Sequence, residues 1–264
     1  MGEILAFVSI KGGVGKTTLA IETASALANR YDKKVLLVDA NFSAPNVALY
    51  LDLTNDLTLH DALSGTLLHN AIYESNGFDV VPASLYYKNE VNIFKLKQIL
   101  DKFRERYDFI IIDSSPNYEE LRPVIAAADK IFIVTSPDEV TLTTSLKAAC
   151  AAKEQKTPVV GIIVNRIRSP KHEYNLREIE KISSIPVMAK IYDDKVMAKS
   201  TYEKMPITIL NKNHHISKEI GRFASAISGE AETLTILEKV FSRVHREKVN
   251  RELYKDKFYE SVFK

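Results

Sequence analysis

One stretch constrains this chain more than any other. The largely apolar run Ile4-Leu5-Ala6-Phe7-Val8-Ser9-Ile10 leads directly into Lys11-Gly12-Gly13-Val14-Gly15-Lys16-Thr17-Thr18. The first segment reads as a buried strand, and Thr18 through Asn29 reads as a helix leaving the loop. Glycines between a strand and a helix let consecutive backbone N–H groups turn inward around phosphate oxygens, and the helix adds its positive N-terminal end. In that setting Lys16 reaches the β- and γ-phosphates and the Thr17 hydroxyl takes Mg²⁺. The strict phosphate-loop pattern places a glycine five positions before Gly15. Ile10 stands there instead, and an extra lysine, Lys11, opens the loop.

A chain of 264 residues is long enough for one large α/β domain with a full core. With 45% apolar and 27% charged residues its composition is that of an ordinary soluble globular protein. A net charge of +2 does not imply nucleic acid, so any basic function has to come from local clustering. The lone cysteine, Cys150, excludes an internal disulfide framework and a multi-cysteine metal site. It lies in the helix-like run 146–152 and reads as a small buried core residue. The first strand begins at the N-terminus with no signal peptide, and no apolar run is long enough to span a bilayer, so a cytoplasmic location is expected.

Further strands are expected at Lys34–Asp39, Gly77–Pro82, Tyr107–Asp113, Lys130–Thr135, Pro158–Asn165 and Pro186–Ile191. Helices are expected at Asn92–Arg106, Val140–Lys153, Glu173–Ser183 and Ser217–Ile227. This alternation predicts an α/β fold, a mainly parallel sheet with helices on both faces in three layers. In such sheets ligands sit beyond the carboxyl ends of the strands, which directs attention to Asp39, Asp113 and Asn165. The pair His214-His215 has no acidic or cysteine neighbour in sequence and reads as a surface loop rather than a metal site.

The run from Lys11 to Thr18 resembles the loop of the MinD/ParA family of deviant P-loop ATPases, and the resemblance extends from Met1 to about Gly229. It implies ATP and Mg²⁺ as cofactors, with Gly12, Gly13, Val14, Gly15, Lys16, Thr17 and Thr18 around the nucleotide. Lys11 would cross an ATP-sandwiched homodimer interface and stabilise transition-state charge in trans. Asp113, closing an apolar strand, would orient Mg²⁺ together with Thr17 and Asp39, and Ser114-Ser115-Pro116 resembles the second switch. Asp39-Ala40-Asn41-Phe42-Ser43-Ala44-Pro45-Asn46 resembles the first switch. Its second acid, which in the family positions the attacking water, is Asn41 here.

Asparagine can hydrogen-bond a water but cannot accept its proton. Either hydrolysis is slow and the ATP-bound state long-lived, or Asp39 positions the water and turnover is normal. Asn165, followed by Arg166, would read the adenine edge, and the 192–194 loop would border it. The form of the first switch and the 165–168 run resemble MinD more than plasmid-type ParA.

The reading divides the chain into an ATPase domain, residues 1–229, and a helical extension, 230–264. In the extension Leu234, Leu237, Val240, Phe241 and Val244 form an apolar stripe, followed by an aromatic-rich end. From Lys239 to Lys264 there are eight basic against four acidic residues. The resemblance implies an amphipathic helix that binds a membrane surface when ATP doubles its copies. Docking on its own domain or a partner, and non-specific DNA binding, stay open. The function expected is an ATP-dependent dimerisation switch that positions a cell component with an activating or cargo protein. A partition ATPase moving DNA and a non-hydrolysing scaffold are the alternatives.

Overall fold

The computed structural model describes residues 1–87, 91–168 and 171–230. The extension from residue 231 onward, with its apolar stripe and aromatic end, lies outside the described residues. The chain opens with β1 (Glu3–Val8), α1 (Lys16–Tyr31), β2 (Val35–Ala40), α2 (Val47–Leu51) and α3 (Leu59–Leu63). A hairpin of β3 (Tyr73–Ser75) and β4 (Phe78–Val81) follows, then α4 (Leu96–Asp101), β5 (Phe109–Ser114), α5 (Tyr118–Ala127) and β6 (Lys130–Thr135). The remainder is α6 (Glu139–Gln155), β7 (Val159–Ile167), α7 (Leu176–Ser183), β8 (Val187–Tyr192), α8 (Lys195–Tyr202), α9 (Ile207–Leu210) and α10 (His215–Ser228).

Among the described residues eight strands form one sheet, in the order β3-β4-β2-β5-β1-β6-β7-β8. Every pairing is parallel except β3 with β4 at the edge. Strands buried on both faces need apolar side chains pointing both ways, which is why β2 and β5 read as nearly unbroken apolar runs. In β1, Ile4, Ala6 and Val8 pack in the core layer shared with α3 to α7, while Leu5 and Phe7 pack in the layer shared with α1, α9 and α10. The sheet is thus sandwiched as the alternation predicts. β1 lies at the centre, where the chain turns to opposite sides to build β2 and β6, and the crevice for a ligand opens at that switch point.

Two expectations are corrected. Cys150 is exposed rather than a core residue. The buried positions of α6 are Thr141, Leu142, Ser145, Ala148, Ala151 and Ala152, and residue 150 falls on the opposite side of that stripe. The single helix expected over 92–106 is a short 3₁₀ turn at Ile93–Lys95 followed by α4. Beyond Asp101 the backbone makes i→i−3 bonds, such as Phe103 N to Leu100 O, while Arg104 pairs with Asp101 and Asp129 and donates to the Gly2 carbonyl. The strand expected at Gly77–Pro82 is present as β4, and β3, not among the expected strands, pairs with it as the first arm of a hairpin. Asn76 and Gly77, at φ 54° and 84°, turn the chain back on the three-residue β3.

Candidate functional site

The loop after β1 has two glycines in left-handed conformation, Gly13 at φ 76° and Gly15 at φ 93°. At Gly15 a side chain is doubly excluded, because an added Cβ would also collide with the Asn165 amide nitrogen. Gly15 is the N-cap of α1. No side chain caps that end and its first turn holds no acid, so its N–H groups and dipole face the crevice uncompensated. Lys16 is buried, at 6% exposure. Burial lowers its pKa, and the charge of Asp113 pulls the other way.

Asp113 and Asp39 end neighbouring strands in register. Thr17 Oγ1 donates to Asp113 Oδ2 at 2.5 Å, while Asp113 Oδ1 is buried without a hydrogen-bond partner. Burial pushes the Asp113 carboxyl up to about 6, against the Thr17 hydroxyl and the Lys16 charge. Asp39 is fully buried, and burial, with Asp113 alongside, pushes it up to about 8. Its Oδ1 accepts the backbone N–H of Asn41 at 3.1 Å, and its Oδ2 accepts those of Asn46 and Val47, each at 3.1 Å. Both oxygens therefore staple the 41–47 loop to the strand end.

Asn41 is buried in that loop. Its Nδ2 donates to Ala44 O at 2.6 Å, and its Oδ1 has no partner. Three buried oxygens, those of Asn41 and Asp113 and the Ser114 hydroxyl, are left unpaired at the carboxyl ends of β2 and β5. Buried orphan acceptors are costly unless something polar completes them, so this cluster has the chemistry of a site for a hydrated cation. The same loop is fastened to the first turn of α5, because the Ser43 hydroxyl and backbone N–H both donate to Glu120. Phe42 meets the buried His60 ring edge-on at 5.3 Å, which anchors the loop's middle.

A groove of about 500 Å³ continues from the glycine loop and is lined by Gly15, Thr18, Tyr50, Asn165, Arg166 and Tyr192 among others. Asn165 donates its Nδ2 to Val14 O at 2.7 Å, bracing the glycine loop and leaving its Oδ1 as an acceptor. Arg166 has φ 57°, a left-handed irregularity within β7 where its register against β8 shifts, at the groove's mouth. Arg168 pairs with Asp193 at 2.6 Å, tying the two strand-exit loops together. The 192–194 loop does border this groove. Tyr50 and the α8 residues Met197 and Thr201 line it without having been singled out by sequence, since no local motif marks them.

Lys11 is exposed, and its backbone N–H donates to Ser9 Oγ at 3.2 Å. The reading of His214-His215 as lacking acidic company is corrected. The β8–α8 turn brings Asp194 to within 3.7 Å of His214 Nε2 and 3.9 Å of His215 Nε2. Among the described residues no helix is long and apolar enough to cross a membrane.

Residues 2–146, more than half of the chain, match the family model described as an AAA domain. An uncharacterized ATP-binding protein of Methanocaldococcus jannaschii is 30% identical over 235 residues, covering 87% of this chain and 89% of that protein. The septum site-determining protein MinD of Bacillus subtilis is 29% identical and covers 90% of this chain and 94% of its own length. The structure of MinD from Pyrococcus horikoshii, complexed with Mg-ADP, superposes with a TM-score of 0.81 at 26% identity, covering 86% of this chain and 96% of that one. In this chain a glycine loop follows a central parallel strand, and the helix after it supplies a buried lysine and a threonine against a strand-end aspartate. The chain belongs to the MinD/ParA family of P-loop ATPases.

Proposed function

We propose that this protein is an ATP-dependent dimerisation switch of the MinD type with slow intrinsic hydrolysis. The observation that carries this reading is the loop from Asp39 to Val47. It is stapled to the β2 end by Asp39, clipped to α5 through Ser43 and Glu120, and carries Asn41 beside the Asp113 cluster. Loops tied together at the phosphate end respond as one unit to the presence of a γ-phosphate, which is what a nucleotide switch requires.

Thr17 and Asp113 Oδ1 would hold Mg²⁺ carried in with the nucleotide, which would neutralise phosphate charge. Lys16 is the residue for the β- and γ-phosphates, and the helix N-terminus with the N–H groups of Gly12 to Thr18 cradles them. The groove beside Asn165 and Arg166 takes the base and ribose. Lys11, exposed and free of the site's internal network, is suited to a partner's nucleotide rather than its own. Asn41 offers Oδ1 to a water without being able to take its proton, which supports slow turnover over the reading in which Asp39 positions the water. Asp39 has both oxygens committed to backbone N–H groups.

The test is the molar mass of the full chain by size-exclusion chromatography with light scattering, in ATP-Mg and in ADP-Mg. A dimer with ATP and a monomer with ADP is expected. Lys16→Ala should abolish the ATP dimer, and Lys11→Ala should weaken it while nucleotide still binds. A chain that stays monomeric with ATP bound, or dimerises equally in ADP, rules the switch out.

A further inference from the structure

Twenty residues separate Asp194 from His214, and the fold brings both to one rim of the groove as helix caps. Asp194 is the N-cap of α8, and its Oδ1 accepts the Val196 N–H at 2.9 Å. Its Oδ2 faces the two imidazoles, 3.7 Å from His214 Nε2 and 3.9 Å from His215 Nε2. One donor atom from each of the three residues lies within 4.8 Å of the others. The two rings stack obliquely with centroids 4.3 Å apart, and Tyr192 flanks His215 at 6.1 Å.

These separations exceed hydrogen-bonding distance, so the carboxylate is not bonded to either ring. They lie close to what a metal ion imposes. Ligand atoms around a tetrahedral ion with bonds of about 2.0–2.1 Å are roughly 3.3–3.4 Å apart. Movements of a few tenths of an ångström would therefore bring both His–Asp pairs to coordinating distance. We propose that Asp194, His214 and His215 form a site for one transition-metal ion of the Zn²⁺ class at the groove rim.

Two imidazoles and a carboxylate suit Zn²⁺, Ni²⁺ or Cu²⁺ rather than the hard Mg²⁺, and three protein ligands leave one position for water. Asp194 arrives with its second oxygen already anchored by a backbone N–H, the kind of outer support that orients a metal ligand. His214 must change tautomer. Its Nδ1 accepts the Ile216 N–H at 3.3 Å, and metal on Nε2 requires the proton on Nδ1. That long cap bond is given up on binding, with the proton moving from one ring nitrogen to the other through solvent. The site is independent of the phosphate-loop cation cluster.

The test uses the full, tag-free, nucleotide-free chain. Co²⁺ is titrated while its visible absorption is followed, and Zn²⁺ affinity is measured by competition with a chromophoric chelator. The wild type should bind one equivalent and give the intense bands of four-coordinate Co²⁺. His215→Gln, at an exposed ring, and Asp194→Asn, which keeps the cap acceptor, should each weaken Zn²⁺ at least tenfold and remove the bands, with circular dichroism showing both variants folded. A wild type that binds no stoichiometric Co²⁺ or Zn²⁺ overturns the site, and so does binding that survives either substitution unchanged.

Discussion

Placing an acid at position 41 separates a slow switch from a cycling enzyme. In Asn41→Asp the amide nitrogen that donates to Ala44 O at 2.6 Å becomes an oxygen, so an attraction turns into a repulsion between two acceptors. Ala44 O keeps a donor in Asn46 Nδ2 at 2.7 Å, which limits the damage to one lost bond and one added buried acid. Together these cost about 1–3 kcal/mol in the nucleotide-free protein. For a chain of this size that lowers the melting midpoint by about 2–12 °C. The substitution also places beside the phosphate end a carboxylate that can take a proton from the attacking water. Such a general base contributes about 10²–10⁴-fold. Because Asn41 already offers one acceptor for orientation, the expected gain in phosphate release is about tenfold to a hundredfold. The assay is single-turnover phosphate release at saturating ATP-Mg, beside nucleotide affinity and dimer mass for the same preparations. Rates that agree within about twofold, with affinity and dimerisation intact, would refute the reasoning and assign the chemical step to another residue.

Two further substitutions probe the scaffold. Gly15→Ala places a methyl where φ is 93° and where the Asn165 amide already sits, so left-handed strain and loss of the Asn165–Val14 bond should together cost about 2–4 kcal/mol. A fluorescent ATP analogue should bind much more weakly, and unchanged affinity and melting would contradict the geometry. The second concerns Glu22 of α1, 1% exposed, which accepts the N–H groups of Ile207 and Thr208 and the hydroxyls of Thr208 and Ser200. Burial raises its pKa against those bonds, as burial also raises Asp39 and Asp113. The unfolded chain releases these protons near the ordinary values of 4.5 and 3.8, so above them it binds fewer protons than the folded chain and stability falls as pH rises. His60, lowered by burial, acts in the opposite sense. The nucleotide-free melting midpoint should decline from about pH 5 to about pH 8, and Glu22→Gln should flatten the decline. A wild-type midpoint that rises across that window is incompatible with burial raising these carboxyls above their unfolded values.

The sequence by itself determined what is encoded within a few adjacent residues. The glycine loop, the lysine and threonine after it, and the buried strands are local patterns, since a strand covered on both faces needs an apolar run and a phosphate cradle needs glycines in succession. Some of what was missed was also local. Asn76-Gly77 is a hairpin turn signal, but β3 has only three residues and shows no usable periodicity. The exposed face of Cys150 follows from the helical phase of α6, which an alanine-rich run hides because small residues mark neither face clearly.

The rest belonged to tertiary structure, because it depends on which strand ends lie side by side. Register sets Asp39 against Asp113 across β2 and β5, and burial there, not residue type, raises both carboxyls. Asn165, 150 residues after Gly15, explains why that glycine tolerates no side chain. Asp194 meets His214 and His215 only because the β8–α8 turn and the start of α10 converge, and no spacing in the sequence measures that distance.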